Sequence, residues 1–105
     1  MTPVTISAVL LIITAILHMA TLVQFGRDST TIPVAVYGVI YGILGGLLLA
    51  ETFSWTALGA FILTLIGAIA AITQINNAPA MRSWMVGFIG IDIAILGLLG
   101  VHLFL

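Results

Sequence analysis

Cysteine is missing from all 105 residues, which removes disulfides, thiolate metal sites and cysteine nucleophiles together and leaves no clue to redox compartment. Charge is nearly as scarce. Arg27 and Arg82 stand against Asp28, Glu51 and Asp92, 5% of the chain with a formal net charge of -1, where a soluble domain carries about 25%. No run of basic residues is present to meet nucleic acid or anionic lipid, so neither is expected as a specific partner. The sequence also lacks a glycine-rich phosphate loop, a nucleophile elbow, an HExxH pair and paired catalytic carboxylates. An enzyme working alone is not expected, and no motif calls for a cofactor.

With so few charges, most of any folded surface must be apolar, which lipid accepts and water does not. The chain is 63% hydrophobic with a mean hydropathy of +1.41. Polar interruptions cut it into four apolar runs, about 4–25, 33–50, 54–75 and 83–104, each near the roughly 20 residues needed to cross a bilayer core. The expectation is a single all-α integral membrane domain over 1–105, four transmembrane helices in an up-down bundle. The first run lacks a basic leader and is long for a signal sequence, so it reads as a retained span.

The connections carry the usual punctuation. Pro33 and Pro79 follow polar stretches and suit the opening turn of a helix, where a missing N–H costs nothing. Glu51-Thr52-Phe53 is short enough to close a tight hairpin, with Thr52 or Ser54 as cap. Phe25, Trp55, Trp84 and Phe104 fall near span edges, where aromatic rings prefer the interface. Arg27, Asp28 and Arg82 read as solvated loop charges, and both arginines lie in loops one and three. The positive-inside rule then places those loops in the cytoplasm and both termini outside.

A weak internal repeat is present. Ile12, Thr14, Ile16, Ala20, Leu22 and Gln24 align with Ile62, Thr64, Ile66, Ala70, Ile72 and Gln74. After a two-residue shift, Val34, Gly38, Ile43, Leu44, Gly45 and Leu47 align with Val86, Gly90, Ile95, Leu96, Gly97 and Leu99. These matches are consistent with a duplicated two-helix hairpin whose halves run the same way across the membrane. Small residues gather on one face of helix two, at Gly38, Gly42 and Gly45, and on one face of helix four, at Gly87, Gly90, Ala94 and Gly97. They are expected to serve close helix packing.

Ionisable groups inside a span cost about 2.5 to 3.5 kcal/mol on insertion scales and are functional candidates by default. Asp92 and His18 are two such groups. Asp92 follows Trp84 by eight residues and His18 precedes Phe25 by seven, which puts them about 12 and 10.5 Å deep from one edge. Tyr41 reaches the same layer from helix two. Ser7, Thr14, His18 and Thr21 share one face of helix one. Two readings stay open: a proton-handling site built on Asp92, His18 and Tyr41, or a structural lock in which the same groups satisfy one another and fix the register. Asp92 lies opposite the glycine face of helix four, so either Asp92 or the glycines should face a second chain. Glu51 and His102 near the other edge are two ligands at most and make no metal site. A haem held by His18 and His102 of one chain fails on depth, by about 16 Å.

Function is therefore expected to be that of a non-catalytic subunit or assembly partner of a larger membrane complex. The alternative is a homo-oligomeric proton-coupled transporter or channel using Asp92 and His18. The expected partners are lipid and other membrane chains or further copies of this one.

Overall fold

The computed structural model describes residues 2–26, 31–50, 55–76 and 81–104. They form four helices, α1 (Pro3–Phe25), α2 (Thr31–Ala50), α3 (Thr56–Gln74) and α4 (Arg82–Phe104). All four are long and apolar enough to cross a bilayer. Arg27, Asp28, Glu51, Thr52, Phe53, Ser54 and Pro79 lie outside the described residues.

The helix ends explain the small differences from the sequence boundaries. Thr2 caps α1, its hydroxyl oxygen accepting from the Thr5 N–H at 3.1 Å, and Pro3 occupies the first helical position. At the other end Gly26 takes φ 76° and its N–H donates to the Leu22 carbonyl, a turn that glycine makes without the Cβ penalty. The Thr31 hydroxyl donates to the Gly26 carbonyl at 2.5 Å and ties the start of α2 to the end of α1. Pro33 is thus the third residue of α2 rather than its first, still among the positions whose N–H has no intrahelical acceptor.

The helices pack as a four-sided bundle in which α1 touches α2 and α4, and α3 touches α4 and, most sparsely, α2. Its extents are 37 × 22 × 20 Å, long enough for a hydrocarbon core of about 30 Å. The tightest seam is α1 against α2. A Cβ on Gly38 would come within 2.7 Å of the His18 Cβ, and one on Gly45 within 2.8 Å of Ile12 Cγ1 and 3.0 Å of the Ala8 carbonyl. Only glycine lets the two backbones approach this closely. Gly42, on the same face, has room for a methyl at ordinary contact distance from Ala15.

Helix α4 behaves differently. Its buried residues are Met85, Phe88, Asp92, Ile95 and Leu99, while Gly87, Gly90, Ala94 and Gly97 are exposed and nothing in the described chain lies within 4 Å of a Cβ built on the three glycines. Gly38 and Gly90 are aligned in the internal repeat, as are Gly45 and Gly97, yet their surroundings are opposite. The two helices turn different faces inward, and Asp92 faces the bundle.

The interior is small and polar compared with the outside. Ser7, Thr14, His18, Thr21, Thr56, Thr64 and Asp92 are buried, whereas Ile16, Val23, Ile43, Ile62 and Ile93 are exposed. Lipid offers no hydrophobic drive to bring helices together, so close packing and internal polar contacts must supply it. The apolar core of Leu11, Leu44, Leu48, Ala60, Ile95 and Leu99 fills the rest.

Candidate functional site

The sparse seam between α2 and α3 borders a cavity of about 500 Å³. Its floor is buried and is made by His18 of α1, Tyr41 of α2, and Met85, Phe88 and Asp92 of α4. Its rim is exposed at Pro33, Ala70 and Gln74. These rim residues sit near the start of α2 and the end of α3, so the cavity opens toward that end of the bundle.

His18 is held by its own helix. The Nδ1–H donates to the Thr14 carbonyl at 2.6 Å, with the Thr14 hydroxyl oxygen 3.2 Å away. A ring nitrogen this close to a carbonyl must carry the proton, so in the neutral imidazole Nε2 keeps the free lone pair, on the ring edge turned away from α1. The ring stacks on Phe88 at 3.9 Å and 16° and meets Tyr41 edge-on at 5.3 Å and 87°. Both contacts fix its plane. The Thr21 hydroxyl donates to the His18 carbonyl at 2.6 Å, one turn further along the polar stripe.

Tyr37 and Tyr41 project from α2 one turn apart and meet edge-on at 5.0 Å. The Tyr37 hydroxyl donates across the seam to the Leu63 carbonyl of α3 at 2.6 Å. In an α-helix that carbonyl also accepts from the Gly67 N–H, and Gly67 is what admits the rings. A Cβ there would run into the Tyr41 hydroxyl and come within 2.9 Å of Tyr37 Cε1. Gly67 is therefore a notch in α3 for the two tyrosines of α2.

Asp92 completes the floor. It is 2% exposed and Tyr41 is 0% exposed. The Tyr41 hydroxyl lies near both the Asp92 carboxyl and the Thr64 hydroxyl, but Tyr41 Oη, Thr64 Oγ1 and Asp92 Oδ1 complete no hydrogen bond. Buried polar atoms without a partner are rare, because each forfeits its hydration for nothing in return. Among the described residues no ion pair joins His18 to Asp92 and no three histidine or carboxylate side chains gather as metal ligands.

The structure thus brings His18, Tyr41 and Asp92 to one cavity. It leaves His102 exposed on the last turns of α4, and Arg82 exposed with a guanidinium N–H 3.5 Å from Asn76 Oδ1. Sequence reasoning missed Tyr37, Gly67 and Phe88. The spacing of Tyr37 and Tyr41 on one helical face was a usable signal for the first; nothing marked Gly67 among the small residues of α3. Comparison with protein-family models, with curated proteins and with solved structures finds no match to this chain.

Proposed function

We propose that this chain is a proton-coupled transporter or channel that works as a homo-oligomer, with Asp92 as its proton-exchanging group and His18 and Tyr41 as partners. The observation that carries the reading is the buried Asp92 oxygen and Tyr41 hydroxyl, both without hydrogen-bond partners, at the floor of a cavity open toward one end of the bundle. The Tyr41 hydroxyl lies near both Asp92 and Thr64, and the open cavity beside them is what a closed structural lock would not need. An exchange site leaves them ready for a proton or a permeant.

The layout that goes with this reading is an up-down bundle, supported by Pro33, Gln74 and Met85, from three helix termini, lining one cavity. Loops one and three, with Arg27 and Arg82, then share the cytoplasmic side and the cavity opens toward it. A duplicated hairpin accounts for the aligned residues, with the second half having turned its glycine face outward.

Asp92→Asn is expected to abolish proton flux in proteoliposomes carrying an internal pH dye, while insertion and oligomeric state stay unchanged. Undiminished flux in the variant sinks the proposal. A second reading, a non-catalytic subunit of a larger membrane complex, draws on the exposed Gly87, Gly90, Ala94 and Gly97 face of α4. It predicts co-purification with larger chains after gentle extraction.

A further inference from the structure

We propose that the cavity is a binding site for a primary ammonium group that carries an apolar substituent. The inference rests on the reading of Asp92 as an exchanging group and adds the class of ligand. Charge decides the sign: the described lining holds one carboxyl and no lysine or arginine, so it can offer a negative partner to a cation and no fixed positive one to an anion. Geometry supplies the acceptors. Asp92 Oδ1 and Tyr41 Oη are buried and unpartnered, and His18, with Nδ1 committed to Thr14, has Nε2 as its remaining acceptor. These three acceptors match the three N–H donors of a primary ammonium.

The walls suit the rest of such a molecule. Tyr37 and Val34 add aromatic and aliphatic surface to that of Phe88 and Met85, and about 500 Å³ lies within the range of about 300 to 1,000 Å³ usual for small-molecule pockets. Tyrosine faces add attraction for a cation. Ammonium and proton compete for Asp92, so binding releases a proton to solution. The polar groups that share the cavity with Asp92 are His18 from α1, Tyr37 and Tyr41 from α2 and Gln74 at the rim from α3, with the Thr64 hydroxyl of α3 beside Tyr41.

The test is calorimetric titration of phenethylammonium into the protein in phosphatidylcholine nanodiscs, in buffers of different ionisation enthalpy. We expect saturable binding with proton release that weakens as pH is lowered. Asp92→Asn should lose about ten- to a hundredfold in affinity, the range of a charge-assisted hydrogen bond. Asp92→Glu should keep most of it, and Tyr41→Phe should weaken it several-fold. Phenethyl alcohol, without charge, and phenethyltrimethylammonium, without N–H, should each bind at least about tenfold more weakly. Equal affinity for either analogue, or an undiminished Asp92→Asn, overturns the proposal.

An ammonium can belong to a free amine or to an aminophospholipid headgroup. Adding phosphatidylethanolamine to the discs separates them: lost affinity for the probe assigns the site to the lipid amine, unchanged affinity to a free one, and both support an ammonium site. Binding without proton flux removes the transport reading and leaves this one. Asp92-dependent flux with no binding of the probe removes this one alone.

Discussion

Tyr37 and Tyr41 are the same residue type on the same helix face, and opposite outcomes are expected when each loses its hydroxyl. The Tyr37 hydroxyl bonds to Leu63 across the seam, so Tyr37→Phe should cost about 1 kcal/mol. The Tyr41 hydroxyl is buried without a partner, so Tyr41→Phe should be neutral or stabilising. Denaturant unfolding of both variants in one detergent decides it, and the reverse order would refute the assigned hydrogen bond. Glycines divide in the same way. Gly38→Ala and Gly45→Ala push a methyl into α1 and should cost about 1 to 3 kcal/mol. Gly90→Ala and Gly97→Ala meet open space in the chain and should change monomer stability by less than about 0.5 kcal/mol. At this scale Asp92, His18 and Tyr41 could be read from the sequence because polar groups are conspicuous in an apolar span. Gly67 could not, since a glycine among alanines and isoleucines looks like any other packing residue.

Among the elements, the four helices were plain to see, and the ends were off by no more than two residues. Pro33 was read as part of the opening turn of α2, and it is the third residue of that helix. Thr2 was passed over as a cap because hydropathy begins counting only at the apolar residues behind it. Thr2→Ala should speed amide exchange at Thr5 by about fivefold, equivalent to the roughly 1 kcal/mol of a lost N-cap. An unchanged rate would remove the cap from α1. Which face each helix turns inward was harder to read. In water the inner face of a helix is its apolar one, whereas here both faces are apolar and the pattern is mute. Hence the alternative left open for α4, which resolves with Asp92 inward and the glycines outward.

For the whole molecule, that outward face is the feature that bears on assembly. An exposed row of Gly87, Gly90, Ala94 and Gly97 lets another helix approach closely, which is how spans associate in lipid. Under the proposed homo-oligomer, Gly90→Leu should leave the monomer folded, since the position has no neighbour within the described chain, and should shift native mass spectra from oligomer to monomer. An oligomer that persists places the contact elsewhere. The sequence carried four helices long and apolar enough to span a bilayer and the shared layer of His18, Tyr41 and Asp92. The cavity it could not carry, because a void between α2 and α3 depends on how far apart two helices stand.

That void also makes the bundle a clamp in the mechanical sense. Helices α1 and α2 are interlocked through Gly38 and Gly45, and α3 and α4 form the second jaw. The jaws meet more extensively where α1 lies against α4 and more sparsely where α2 faces α3, so the first side is the back of the clamp and the second its mouth. Across that mouth the Tyr37 to Leu63 hydrogen bond is a latch. The Gly67 notch that admits the rings of Tyr37 and Tyr41 seats that latch, so one glycine and one tyrosine hydroxyl tie the jaws on the side where they are furthest from each other's grip.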